Sequence, residues 1–375
     1  MAKHKGKSQR RIKDWHQRYE AGQEDDGTVA RRQKLSQRAV KLPPSRAAAP
    51  EENLDTLPKT NGMVVGQYPG GVVVRTGIDE LLCGIAKTFR APEGSSPLAV
   101  GDDVTLALTQ GHHADASKPD MDRADGMILT RGPRETLLAR PQPRSGKHRD
   151  AYETETFTKV IAANIDVLLI VAATRRPPLS HGLIDRFLII AERGELEPVL
   201  AVNKLDLGRP EGQTLGELEA LDIDVFFCSA LTGEGIEALR SALGQKRVVL
   251  AGASGVGKSA MINALVPGAD AATRSIREKS QRGRHTTSAA VVYNLPKGGM
   301  LIDTPGIREL GTGLNTAELT WYFREFDELS PRCRFNNCTH THEPDCAVAA
   351  AVERGEILRR RYESYLRILE TLEET

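Results

Sequence analysis

The sequence predicts a multidomain α/β protein: a small β-barrel, then a mostly parallel sheet covered by helices, then a short helical C-terminal domain. Three observations carry this. Five short β-rich runs fall within residues 62–138, strands alternate with helix-spaced segments from about 155 to 311, and three of the five cysteines crowd into Cys333–Cys346. The 375 residues suffice for about two to four domains. Charge is nearly balanced, 51 Lys+Arg against 50 Asp+Glu, which argues against wholesale disorder.

Residues 1–46 depart from that balance. They hold 13 Lys+Arg and 5 acids, an excess of +8, with few apolar residues. Such a segment buries too little surface to fold alone. It is expected to be a solvated arm, either inert or able to settle on a phosphate backbone. Residues 47–60 contain Pro50 and Pro58 and read as linker. Residues 1–60 are therefore assigned to a basic, disordered arm and its linker.

Residues 61–140 follow. Met63-Val64-Val65, Val72-Val73-Val74, Glu80-Leu81-Leu82-Cys83, Val104-Thr105-Leu106 and Met127-Ile128-Leu129 are separated by Gly and Asp turns. Five short strands in so short a stretch suggest a small barrel, of which the oligonucleotide-binding (OB) type is one solution. Residues 141–154 are basic and Pro-containing, and are taken as a second linker.

From 155 to 311, Ile165–Ala173, Pro198–Val202, Asp224–Cys228, Arg247–Ala251, Ala289–Tyr293 and Met300–Asp303 read as buried strands. Ile184–Arg193, Ile236–Leu243 and Ser259–Val266 have helical spacing. The alternation implies a sheet covered on both faces. Residues 312–375 read as helical and end in an amphipathic helix at about Glu356–Glu373.

The chemistry is concentrated at strand ends. Gly252-Ala253-Ser254-Gly255-Val256-Gly257-Lys258-Ser259 fits G-x-x-x-x-G-K-[ST], between a strand and a helix that opens through Ala260. Glycines permit close backbone approach to phosphate, and the helix N-terminus faces the charge. Lys258 reaches the β- and γ-phosphates, and Ser259 can ligate Mg²⁺. Asn203-Lys204-Leu205-Asp206 follows another strand. A carboxylate at Asp206 matches the paired N1 and N2 donors of guanine and repels adenine, which argues against ATP. Ser229-Ala230-Leu231 fits a loop whose amide meets guanine O6. Asp303-Thr304-Pro305-Gly306 places a carboxylate for Mg²⁺ through water and a Gly306 N–H for the γ-phosphate. In Gly283–Thr287, Thr287 is the favoured further Mg²⁺ ligand, with Thr286 the alternative.

The order of these motifs is permuted. Ordinary GTPases run phosphate loop, switch threonine, D-x-x-G, N-K-x-D, S-A-x; here the last two come first. The pocket depends on strand ends in space, so a sheet with close termini tolerates the rearrangement. The Asp303–Gly306 loop then feeds directly into the C-terminal region.

The cluster Cys333-x4-Cys338-x-His340-x5-Cys346 offers thiolates and an imidazole, a donor set for one closed, structural zinc site. His342 is a rival ligand on residue type. Cys83 and Cys228 lie in strands and read as buried thiols.

On these motifs, residues 62–375 resemble the bacterial ribosome small subunit-dependent GTPase A family (RsgA, also called YjeQ). The resemblance implies a GTP hydrolase in late small-subunit maturation. Its rRNA-stimulated hydrolysis would convert a subunit-bound GTP form into a released GDP form. It also favours His340 over His342. Small-subunit rRNA and other assembly factors are the implied partners. The chain itself is expected to be monomeric and cytoplasmic, since Met1–Lys7 lacks a secretion signal and no apolar run nears the ~20 residues of a span. The residue after D-x-x-G is Ile307, which cannot orient water, so slow intrinsic turnover is expected. His285 is the internal candidate for that task; its alternative role is an rRNA contact. A second reading of the chain is an RNA-binding assembly scaffold that keeps GTP as a structural ligand. A P-loop kinase or ATPase is the third.

Overall fold

The structure, a computed structural model, describes residues 54, 56–68, 71–89, 96–109, 124–141, 158–221, 223–269, 290–304, 307, 314 and 316–373. The chain separates into two compact units, residues 1–56 and 57–375; all the elements below belong to the second. The basic arm, most of the second linker and the His285 loop lie outside the described residues.

Five strands close a barrel in the order β1-β2-β3-β5-β4: β1 (Lys59–Tyr68), β2 (Gly71–Thr76), β3 (Asp79–Ile85), β4 (Asp103–Leu108) and β5 (Gly126–Arg131). The expected OB-type arrangement is present, with β3 and β5 parallel and the other pairs antiparallel. Alternating residues point inward, and Val64, Val74, Cys83, Leu106 and Ile128 are wholly buried. The buried Asp102 carboxylate is held by Arg134 at 2.7 Å and accepts from the Ala99 N–H at 2.7 Å.

β6 (Leu137–Pro141) and β7 (Thr158–Ala163) form an antiparallel ribbon between the barrel and the next sheet. That sheet comprises β8 (Val167–Ala173), β9 (Glu197–Asn203), β10 (Asp224–Phe227), β11 (Arg247–Ala251), β12 (Val291–Asn294) and β13 (Met300–Asp303). Its order is β10-β9-β8-β11-β13-β12, parallel throughout except for the antiparallel edge strand β12. Along β8, Val167, Leu169 and Val171 pack into one core and Leu168, Ile170 and Ala172 into another, so both faces are covered. The covering helices are α1 (His181–Arg193), α2 (Gly212–Glu219), α3 (Ile236–Leu243) and α4 (Lys258–Leu265). The chain runs outward from β8 to β10, then returns to β11 beside β8. That reversal is a topological switch point, where ligands bind beyond the carboxyl ends of strands.

The barrel docks on this sheet through Arg247 on Asp103, at 3.1 Å, and Arg75 on Asn294, at 2.7 Å. The C-terminal region contains α5 (Thr316–Leu319), α6 (Ala347–Glu353) and α7 (Arg359–Glu373). Its core is aromatic: the Phe326 and Tyr365 rings meet edge-on at 5.0 Å, and Phe323 packs against both. Helix α7 starts three residues later than the sequence suggests, because Gly355 at φ 76° closes α6 and a short bend follows. Arg360 and Arg361 of α7 grip the buried Asp185 of α1 and so tie this region to the sheet. Among the described residues no helix is long and apolar enough to cross a membrane.

Candidate nucleotide site and cysteine cluster

The loops after β8, β9, β10, β11 and β13 converge at one edge of the sheet. The loop after β11 holds the phosphate-loop residues. Gly252, Gly255 and Gly257 have φ of 144°, 80° and 97°, a region that side chains avoid. A Cβ at Gly252 would lie 2.3 Å from the Val171 carbonyl oxygen on β8, and one at Gly257 would lie 2.5 Å from Asn203 Nδ2. The loop is therefore shaped by contact with its neighbours as well as by phosphate chemistry. Val256 is buried in the core beneath it, while Ser254 and Ala260 are exposed above. Lys258 folds back, its Nζ donating to the Gly252 and Ala253 carbonyls at 2.8 and 2.6 Å. Lys258 and Ser259 occupy the first turn of α4.

Asn203 is 2 % exposed and joins two loops. Its Nδ2 donates to the Val256 carbonyl at 3.0 Å, and its Oδ1 accepts from the Ala230 N–H at 2.9 Å. A guanine O6 would have to share that Ala230 hydrogen or draw on a neighbouring amide. Lys204 adopts a left-handed conformation, φ 67°, and its ammonium donates to the Gly255 carbonyl at 2.6 Å and to the Arg176 carbonyl. Leu205 is buried. Asp206 is exposed, and one carboxylate oxygen accepts from Ser229 Oγ at 2.6 Å. Ser229 thus positions the carboxylate, and Asp206 keeps a solvent-facing edge.

Asp303 ends β13, hydrogen-bonded beside β11, and Thr304 follows with its Oγ1 buried and unpartnered. Ser259 and Asp303 offer oxygen ligands of the kind Mg²⁺ takes. Ile307 is 2 % exposed and packs into the core, so its side chain is committed away from any water. Gly306, His285, Thr286 and Thr287 lie outside the described residues.

Sequence reasoning missed the loop after β8. Pro177 Cδ would sit 3.6 Å from a Cβ on Gly255, and Thr174 Oγ1 donates to the Lys204 carbonyl at 2.9 Å. The signal was present: Arg175-Arg176-Pro177-Pro178 leaves the carboxyl end of a central strand, the usual place for ligand loops.

At the C-terminus the structure gathers Cys333, Cys338, His340 and Cys346, with all ligand atoms within 4.8 Å of one another. His340 Nδ1 stands 3.6 Å from Cys333 Sγ and 3.5 Å from Cys346 Sγ, and those sulfurs are 3.9 Å apart. A tetrahedron with Zn–S of ~2.3 Å and Zn–N of ~2.0–2.1 Å has edges of about 3.6 Å (N–S) and 3.8 Å (S–S), so the donors fit zinc. His340 is buried at φ 59°, whereas His342 is exposed with its ring bonded to Thr341 Oγ1. The turn decides between two histidines that spacing leaves equal.

Neighbours set the ligands' orientation. Ser330 Oγ lies 3.3 Å from His340 Nε2 and donates to the Phe326 carbonyl at 2.9 Å, which assigns the Nε2 proton to the Ser330 contact and leaves Nδ1 to ligate. Glu343 accepts from Thr339 Oγ1 at 2.6 Å, Thr339 N at 2.7 Å and Thr341 N at 3.0 Å; against the upward pull of burial, those bonds hold its carboxyl well below the usual range. Burial lowers the His340 pKa and keeps the imidazole neutral. Burial, then the adjacent thiols, pushes Cys338 up to about 12, so without a cation that thiol is protonated.

Barrel, sheet, converging loops and motif order define a circularly permuted P-loop GTPase with an appended Cys3His cluster. The RsgA GTPase family model matches residues 132–313. The chain is 42% identical over 291 residues to the small ribosomal subunit biogenesis GTPase RsgA of Chlorobaculum tepidum, covering 76% of this chain and 89% of that protein. It is 35% identical over 321 residues to RsgA of Haemophilus influenzae, covering 84% and 85%. The crystal structure of YjeQ from Thermotoga maritima superposes with TM-score 0.60 at 31% identity, covering 84% of this chain and 99% of that one. YloQ, described as a circularly permuted GTPase, superposes with TM-score 0.57 at 24% identity over 87% and 98% and shows the shared fold. The chain belongs to the RsgA GTPase family and is a GTP hydrolase.

Proposed function

We propose that this GTPase assists late maturation of the small ribosomal subunit by binding its rRNA in the GTP form and leaving after hydrolysis. The names of its relatives, small ribosomal subunit biogenesis GTPases, supply the substrate assembly. The observation that carries the mechanism is the join between Asp303 and the C-terminal region: among the described residues no strand lies between β13 and α5.

In this reading Asp206 takes the guanine N1 and N2 donors, held by Ser229, and the Ser229–Ala230 loop faces O6. Asn203, Lys204 and Leu205 hold the loops in register around it. Residues Gly252–Ala260 enclose the phosphates, and Lys258 exchanges its loop carbonyls for phosphate oxygens. Ser259, Thr287 and, through water, Asp303 would hold Mg²⁺, which would supply positive charge to offset the charge that develops on the phosphates. Gly306 senses the γ-phosphate. Ile307 being fixed in the core, His285 orients the attacking water in the subunit-bound state. Cys333, Cys338, His340 and Cys346 would hold zinc; with four protein ligands the site would be structural, contributing to folding of the C-terminal region and not to catalysis. The protein acts as a monomer in the cytoplasm.

The test is co-sedimentation with purified small subunits. Binding is expected with a non-hydrolysable GTP analogue and loss of binding with GDP. Equal binding in both states contradicts the cycle and favours the scaffold reading, in which GTP is only a structural ligand.

A further inference from the structure

A groove of about 1120 Å³ opens at the edge of the sheet opposite the nucleotide loops, between the sheet and the C-terminal region. Its position is set by Glu197 and Asp224, the first residues of β9 and β10, whereas the nucleotide motifs follow the last residues of those strands. Apolar side chains line part of it: Leu188, Leu221 and Ile223 on the side of the GTPase sheet, and Tyr322, Ile357 and Leu358 from the C-terminal region. Leu358 is 43% exposed, a large apolar side chain open to water at the groove.

The rim is acidic: nine carboxylates and three arginines line the groove. The arginines are already engaged. Arg360 holds Asp185 and Glu217, Arg361 holds Asp185 and Glu325, and Arg324 faces Glu192. By contrast Glu195, Glu219 and Asp224 are exposed and have no ion-pair partner among the described residues. Apolar side chains beside uncompensated carboxylates are complementary to one kind of ligand, a polypeptide segment carrying apolar and Lys/Arg side chains. The same rim repels phosphate, so it disfavours nucleic acid.

We infer that this groove docks a basic, partly apolar segment of a protein partner. A segment seated there touches both the sheet and α7, so it holds the C-terminal region against the GTPase sheet. The inference does not depend on the roles given above to GTP, zinc or rRNA.

The test is fluorescence anisotropy of a labelled peptide of alternating arginine and leucine against the full-length protein. Affinity is expected to fall as salt rises, because exposed charges are screened within about 8 Å at physiological ionic strength. The triple variant Glu195→Lys, Glu219→Lys, Asp224→Lys should lose about tenfold or more in peptide affinity. Basal GTP hydrolysis and the melting temperature should be unchanged, since none of the three touches the nucleotide loops. The neutralised variant Glu195→Gln, Glu219→Gln, Asp224→Asn should lose less, and it serves if charge reversal disturbs folding. Unchanged peptide affinity in a folded variant overturns the proposal. So does displacement of the peptide by single-stranded RNA with wild-type protein. A protein dimer that the peptide dissociates assigns the groove to a second copy and also overturns it.

Discussion

Asn203→Ala tests whether the base-reading and phosphate loops are one device. The wild-type amide makes two buried hydrogen bonds, to the Val256 carbonyl at 3.0 Å and from the Ala230 N–H at 2.9 Å. Alanine removes both and leaves a carbonyl and an amide without partners. A buried polar group so orphaned costs about 1–3 kcal/mol. Water can reach the loop edges, so about 1–2 kcal/mol per group, or about 2–4 kcal/mol in all, is a reasonable range. That range is a fall of about 30- to 1000-fold in GTP affinity, if the loops must be in register before nucleotide binds. The sheet beneath them is packed on both faces and should still fold. The assay is titration of a fluorescent GTP analogue, with a thermal melt as control. Affinity within threefold of wild type would show that nucleotide binding does not need the Asn203 link between the loops. A lowered melting temperature with normal affinity would reduce Asn203 to a structural brace.

Further expectations concern specificity, catalysis and metal. Asp206→Asn replaces a carboxylate acceptor with a donor, so xanthine nucleotides should gain on GTP in competition; unchanged preference would remove Asp206 from base reading. His285→Ala should leave GTP affinity nearly intact and remove most of the subunit-stimulated rate, since a positioned water-orienting group contributes roughly 10²–10⁴-fold; stimulation surviving within a few-fold would make it an RNA contact. Chelation, or Cys338→Ser, should melt the C-terminal region and release one zinc per chain by metal analysis. Metal affinity should weaken as pH falls, because protons compete for thiols already raised, Cys338 to about 12. Metal uptake that is flat between neutral and acid pH would contradict a thiolate site.

Much of this architecture was legible because it obeys local rules. The glycines at 252, 255 and 257 announce a loop with positive φ, and the structure places all three there. The permutation was legible from motif order, since β11 is central in space though fourth of the sheet's strands in the chain. Other parts were hidden for physical reasons. Ribbon strands β6 and β7 pair across a long intervening segment, a non-local contact with no turn signature. Helix α2 holds Gly212 and Gly216, poor helix formers, and is held by tertiary contacts such as the buried Leu218. Ser330 and Glu343 serve the cysteine cluster through hydrogen bonds, which ligand spacing does not encode. The loop carrying Arg176 and Pro177 has no motif, and its role follows only from where β8 ends.

This permuted GTPase is expected to hydrolyse GTP under the control of the small ribosomal subunit. Single-turnover hydrolysis by the full chain, with and without purified small subunits, tests it most directly. Turnover of the protein alone should be slow, because Ile307 is locked in the core and supplies no water-orienting group, and the rate should rise at least tenfold with small subunits but not with large ones. A rate that is already fast in the free protein, or one that small subunits leave unchanged, would contradict it.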